Sequence, residues 1–356
     1  MKMQKPTAGM SICWGGLALC AATLIFGCSP AGSRTARAPE SPTTLSGETM
    51  GTSYTVKVVA LPQTVELEML RQEIQETLSR IDGLMSTYRA ESEISRFNRY
   101  DGIDWFVVSP ETASVVHEAV RLGELTEGAF DVTVGPLVNL WSFGPEKDSA
   151  QRVPSPGEIA SVRQRVGFRN LAVRISPPAL RKNRNDLYVD LSGIAKGFAV
   201  DQIAEHLDFR GIEDYMVEIG GEIRAKGHNH RGIPWRLAVE SPLADRRMVH
   251  RVVSLENAAM ATSGDYRNYF EKDGTRYCHI IDSRSGRPVA HGLASATVIG
   301  PSCSRADALA TALMVLGPDA GFELAQREHL AVFLLLKTDT GFVEKSTAEF
   351  RDTLPP

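Results

Sequence analysis

Three groups of residues in this 356-residue chain have the types and spacing to do chemistry. The first is Asp190-Leu191-Ser192-Gly193-Ile194-Ala195-Lys196-Gly197-Phe198-Ala199-Val200-Asp201. An apolar, β-prone lead-in (Leu187, Tyr188, Val189) ends at a carboxylate, passes a small-residue turn and enters a helical run towards His206. A strand, turn and helix in that order aim free backbone N–H groups and the positive end of a helix at whatever lies above them, which suits phosphate oxygens. Lys196 would add a mobile positive charge in the first helical turn. The stretch lacks the G-x-x-x-x-G-K-[ST] phosphate loop, so a solvated lysine on an ordinary junction fits it too.

The second group is Ser304-Arg305-Ala306-Asp307-Ala308-Leu309-Ala310-Thr311-Ala312-Leu313-Met314. Asp307 and Thr311 are four apart, so on a helix both offer oxygen from one face. Their Ala and Leu neighbours make that face a packed one, where polar groups need partners, and a hard cation such as Mg²⁺ takes such oxygens. An aspartate that caps a helix or pairs in a core is the competing explanation. The third group is His279, expected on a strand, with Asp265 on the strand or loop paired to it. A His/Asp pair beside a phosphate site can move a proton from a hydroxyl nucleophile. A satisfied core histidine and a turn-forming aspartate are the alternatives there.

The elements that must position these groups alternate irregularly. Leu67, Leu70, Ile74, Leu78, Ile81 and Leu84 have helical spacing. Ser109-Pro110-Glu111 and Ser155-Pro156-Gly157-Glu158 read as capped helix starts. Strands are predicted over 54–59, 171–175, 187–190, 215–227, 235–240, 249–255, 277–282, 297–300 and 330–336, with Gly220-Gly221 marking a bulge or a close backbone approach. Lys272-Asp273-Gly274-Thr275 is a strong hairpin turn. Frequent hairpins and the absence of a repeat favour an α+β fold over a doubly wound parallel sheet.

Composition narrows the function. Hydrophobic content of 43%, charged content of 23% and a formal net charge of -4 describe an ordinary globular chain without a basic face, so a nucleic-acid partner is disfavoured. The N-terminus is read apart from the fold. Lys2 and Lys5 precede an apolar run from about Ile12 to Phe26, the layout of a secretory signal over residues 1–27. Ile25-Phe26-Gly27-Cys28 resembles a lipobox whose cysteine, Cys28, becomes the lipidated N-terminus. Ser29 after it favours the outer over the inner membrane if the host is Gram-negative. Residues 28–46, rich in Ser, Pro, Ala, Arg and Thr, are read as a flexible tether, and 47–356 as the folded domain. Losing the signal removes Cys13, Cys20 and two positive charges. Cys278 and Cys303 are then the cysteines of the domain and are taken as buried small residues.

Taken in order, Met50-Gly51-Thr52-x-Tyr54, Ser86-Thr87-Tyr88, Gly128-Ala129-Phe130-Asp131, Asp190 to Gly197, Glu218-Ile219-Gly220-Gly221-Glu222, Ala261-Thr262-Ser263-Gly264-Asp265-Tyr266, His279-Ile280-Ile281-Asp282 and Ala306 to Ala312 resemble the ApbE family of FAD:protein FMN transferases. The likeness spans about Gly47 to Leu336. It implies an ApbE-like, T-fold-related α+β fold of mixed, largely antiparallel sheets with packed helices. Under it, Asp307 and Thr311 would bind Mg²⁺ through side-chain oxygens and Gly193 through its carbonyl. Met50, Tyr88, Ala129, Phe130, Asp131, Asp190, Lys196 and Ile281 would contact FAD, and His279 would take part in the transfer, with Asp265 kept as its catalytic partner from the pair read above.

The resemblance further implies a periplasm-facing lipoprotein. It would move FMN from FAD to a threonine of acceptor flavoproteins such as Rnf-type or sodium-pumping NADH:quinone oxidoreductase subunits, releasing AMP. A Mg²⁺-dependent FAD pyrophosphatase and a non-catalytic flavin-binding lipoprotein remain the alternatives.

Overall fold

A computed structural model describes residues 41–146, 151–243, 246 and 248–355. The secretory signal and Cys28 lie outside the described residues, as does the tether up to residue 40. Eight strands form the main sheet. They are β1 (Thr43–Thr49), β2 (Thr52–Val58), β3 (Tyr215–Ile219), β4 (Glu222–Lys226), β5 (Ala258–Gly264), β6 (Leu293–Gly300), β7 (Ala331–Thr338) and β8 (Gly341–Ser346). They lie side by side in chain order, and every neighbouring pair is antiparallel. Three helices matter most here: α1 (Leu67–Met85), α2 (Ala195–Phe209) and α3 (Cys303–Leu316).

The two-residue period of the strands sorts side chains between two cores. Tyr215, Val217 and Ile219 of β3 join the large core under the helices, together with Leu70 and Ile74 of α1 and Leu309 and Leu313 of α3. Met216, between Tyr215 and Val217, points the other way. There it meets Trp235, Val239, Val253 and Leu255 of the 235–240/249–255 hairpin and Phe350. Both faces of the sheet are thus covered, as the nearly unbroken burial along β6 shows.

Four expectations change. The first strand starts at Thr43, inside the stretch read as tether, because Leu45 pairs with Val56 and is 1% exposed. One large apolar residue among Ser, Pro and Thr is too little for composition to register. Leu187–Asp190 belongs to no strand. Its backbone is held instead by the Asn98 side chain, whose Nδ2 donates to the Val189 carbonyl at 2.8 Å and whose Oδ1 accepts from Val189 N–H at 2.7 Å. Gly220-Gly221 is the two-residue turn between β3 and β4, both residues at positive φ (62° and 106°), which is glycine's conformational territory. His279 falls between strands Thr275–Cys278 and Ile281–Asp282, not within one.

Helices α2 and α3 cross where one glycine permits it. A Cβ on Gly197 would run into the Cys303 carbonyl and lie 2.7 Å from Ser304 Cα, both backbone atoms that have no rotamer to yield. Gly197→Ala is therefore expected to push the helices apart and cost about 2 kcal/mol or more through overpacking. A lowered denaturation midpoint is the readout, and an unchanged midpoint would contradict the close approach.

Candidate active site

The described cavity beside α2 and α3 has a volume of about 400 Å³. Tyr88, Ala129, Phe130, Asp131, Asp190, Gly193, Lys196, His279, Ile281, Asp307 and Thr311 all line it. Residues more than two hundred positions apart in sequence therefore share one wall. Met50 and Asp265 do not line it. Met50 sits at positive φ (49°) in the β1–β2 turn and packs against the main core.

The cavity's charged floor is built from both helices and the sheet. Asp307, 2% exposed, accepts a hydrogen bond from Gly197 N–H at 3.1 Å, in the first turn of α2. The positive end of that helix therefore holds a carboxylate of this chain, where the sequence pattern suggested a phosphate. The turn before it is likewise engaged internally, since Asp190 Oδ1 accepts from Ser192 N–H at 2.9 Å. Lys196 Nζ lies 3.7 Å from Asp307 Oδ2 and 3.5 Å from Glu222 Oε1. Burial would lower the Lys196 ammonium, but the Asp307 and Glu222 carboxylates outweigh it and raise it above its ordinary value. Burial also pushes the Glu222 carboxyl up; Lys196 pulls it down, and Asp307 adds to the push.

Thr311 stands one helical turn beyond Asp307, and its Oγ1 lies 3.1 Å from Ser263 Oγ on β5. A Cβ built on Gly193 would come 3.6 Å from Thr311 Oγ1, so the 190–193 turn lies directly against this hydroxyl. The oxygens gathered here belong to a carboxylate and two hydroxyls, the kind a hard cation takes, with the 190–193 turn beside them. Two buried carboxyl groups share the one Lys196 ammonium. Among the described residues no cluster of three or more His, Cys, Asp or Glu suits a metal. The expected donors include only one residue of those types.

His279 occupies the cavity wall by virtue of hairpin register. Tyr269 pairs with Cys278, so the next rung sets His279 against Asn268, whose carbonyl accepts from His279 N–H at 3.0 Å. His279 Nδ1 lies 3.2 Å from the same carbonyl. A carbonyl only accepts, so Nδ1 carries the proton and Nε2 is left with its lone pair. Burial holds the imidazole below its usual range, which keeps it neutral. Phe143 meets the ring edge-on at 6.4 Å between centroids.

The expected His279/Asp265 pair is not formed. Asp265 accepts from Lys337 Nζ of β7 at 2.5 Å, and its other oxygen is buried without a partner. Asp131 also has a structural task, because its carboxylate accepts from Thr133 N–H at 2.8 Å and from Phe168 N–H at 3.1 Å. Tyr88, 68% exposed, stands at the mouth. The residues sequence reasoning passed over are Glu222, Ser263, Asn268 and Asp201. Asp201 lay within the first motif. It accepts from Ser302 Oγ at 2.9 Å, from the N–H groups of Cys303 at 3.0 Å and Ser304 at 2.9 Å, and from Arg224 at 2.7 Å. It thereby fixes the start of α3, and so the height of Asp307.

The antiparallel α+β fold and this oxygen-lined pocket with an ammonium and a neutral imidazole define an enzyme, a transferase by its relatives. The chain belongs to the ApbE family, whose profile matches residues 50–334. A curated protein of Vibrio cholerae, "FAD:protein FMN transferase", is 46% identical over 95% of this chain and 98% of its own length. One of the same name from Haemophilus influenzae is 47% identical over 86% of this chain and 90% of its own length. Among solved structures, the flavin transferase ApbE from Vibrio cholerae superposes with a TM-score of 0.82 at 46% identity, covering 88% of this chain and 99% of that one. The Thermotoga maritima ApbE protein gives 0.78 at 30% identity, over 88% and 100%.

Because Asp201 caps two α3 N–H groups and neutralises Arg224 at once, Asp201→Ala is expected to cost on the order of 3 kcal/mol. Chemical denaturation measures it; a midpoint equal to the native one would remove Asp201 from the positioning of α3.

Proposed function

We propose that this protein transfers FMN from FAD to a threonine hydroxyl of an acceptor flavoprotein, with release of AMP and with Mg²⁺ at the diphosphate. The observation that carries the reading is the convergence of Lys196, Asp307, Thr311 and the 190–193 turn on one cavity wall, with the free Nε2 of His279 in the same cavity. Asp307, Thr311 and the Gly193 carbonyl are the donors that would hold the ion. Mg²⁺, when bound, would draw charge from the diphosphate and make AMP a better leaving group.

The chain's own groups supply the rest. Lys196 neutralises phosphate charge. His279 Nε2 takes the proton of the attacking hydroxyl as its oxygen bonds the phosphorus on the riboflavin side and the bond from that phosphorus to the bridging oxygen breaks. The Asn268 carbonyl keeps the proton on Nδ1 and so keeps Nε2 able to accept. Phe130, Tyr88 and Ile281 give the flavin and adenine apolar and aromatic surface. Rnf-type and sodium-pumping NADH:quinone oxidoreductase subunits are the acceptors this reading favours, reached from a membrane anchor at Cys28 on the periplasmic side.

The test incubates the protein with FAD and Mg²⁺, with and without a threonine-bearing acceptor, and follows both AMP and flavin fluorescence on the denatured acceptor. Fluorescent acceptor and stoichiometric AMP are expected. AMP without labelled acceptor would make the protein an FAD pyrophosphatase, and neither product would make it a flavin binder. Asp307→Ala should lower transfer about a hundredfold, the upper range for lost metal support.

The pH dependence follows from His279. Its ring is held below the usual value of 6.5, so the base is free at neutral pH and is lost only as pH falls through that lowered value. The acidic limb of kcat/KM should therefore have its midpoint below pH 6.5. A midpoint at or above 6.5 would take the proton transfer away from this histidine.

A further inference from the structure

Glu222 has no role in the transfer chemistry above, yet it is 4% exposed in the cavity wall. Its place is set by the turn before it. Gly220-Gly221 closes the β3–β4 hairpin with Ile219 opposite Glu222, which delivers the carboxylate beside α2 from the sheet side. Oε1 faces Lys196 Nζ at 3.5 Å, and Oε2 is buried with no hydrogen-bond partner.

The two distances at Lys196 are informative together. A closed ammonium–carboxylate bond runs about 2.7–2.9 Å, and Lys196 stands at 3.5 Å from Glu222 and 3.7 Å from Asp307. The ammonium closes on neither carboxylate. It is suspended between an anchor on the sheet and an anchor on α3, with N–H groups left for the cavity. Asp307 is itself fixed by Gly197 N–H, and α2 fixes the root of Lys196. With Glu222 absent, a partly buried ammonium left with one carboxylate within reach would collapse onto it.

We propose that Glu222 is a positioning residue for the reaction: it holds the Lys196 ammonium away from Asp307 and turned towards the diphosphate. The proposal rests on the transfer reading for the identity of the substrate, while its geometry concerns any nucleoside diphosphate in the cavity. Glu222 makes no contact with reacting atoms in this role, so its removal should act through Lys196 alone.

ADP, titrated by calorimetry into the full protein, is the probe, with FMN transfer as a second readout. Glu222→Gln keeps the shape and removes the carboxyl group. It should weaken ADP tenfold or more and lower kcat/KM by about ten- to a hundredfold. Lys196→Met should lose at least as much. The double variant should be no weaker than Lys196→Met, the non-additivity expected of one residue acting through another. Unchanged or tighter ADP binding in Glu222→Gln would show that the carboxylate only repels the ligand, and additive losses would give Glu222 a direct role; each overturns the proposal. Should Glu222→Gln fail to fold, Glu222→Asp keeps the charge one methylene further back and is expected to weaken ADP several-fold, and native affinity there overturns it equally. A native protein that shows this ADP cycle but flavinylates no acceptor would overturn the transfer reading and leave the role of Glu222 standing.

Discussion

The structure turns on one buried arrangement: Asp307, taken out of water on α3 and answered by the Gly197 N–H and the Lys196 ammonium of α2. A lone buried carboxylate is expensive, and only paired, hydrogen-bonded charges survive in such a place. Two helices that start more than a hundred residues apart are therefore coupled at their first turns. Everything near the cavity can be understood as keeping those turns in register. Gly197 has no Cβ because the Cys303 backbone is already there. Asp201 receives the first N–H groups of α3. Ser302 caps the same helix by accepting from Arg305 N–H at 3.3 Å.

The same arrangement explains why the cavity has spare appetite for positive charge. Glu222 and Asp307 share the one Lys196 ammonium, which leaves the Glu222 carboxyl pushed above its usual range, and its second oxygen has no protein donor. A site built only for stability would pair that oxygen or replace it with carbon. Keeping it unpaired is a cost to the fold that a charged ligand complex would offset.

What the sequence made legible follows from the reach of local rules. Asp307 and Thr311 share a face because four residues make one helical turn, and no tertiary knowledge is needed for that. The Asp273-Gly274 hairpin and the Ser155 capping box formed as their residue types require. The Asn98 clamp on Val189 was not legible, since a side-chain amide that stands in for a neighbouring strand has no period and lies 91 residues away. Leu187–Asp190 consequently has the composition of a strand and the partners of a loop. The His279/Asp265 pair is missing for a related reason. Register places Asn268 opposite His279, and the acid is drawn off by Lys337 from a strand that sequence proximity does not bring near.

The two halves of the site differ in how they are held, and that difference bears on what the protein can accept. The charged floor is locked by helix ends, a glycine crossing and a hairpin turn, none of which can shift without moving the core. The wall carrying His279 depends on a bend between two short strands, on one backbone carbonyl at Asn268 and on an edge contact with Phe143. Tyr88 at the mouth is largely exposed. On the proposed reading the floor would hold the diphosphate, whereas the wall with His279 belongs to the bend between two short strands. Under the transfer proposed above, selection between an acceptor hydroxyl and water would then fall on the His279 side of the cavity, where chain from outside must enter, and not on the side of Lys196 and Asp307.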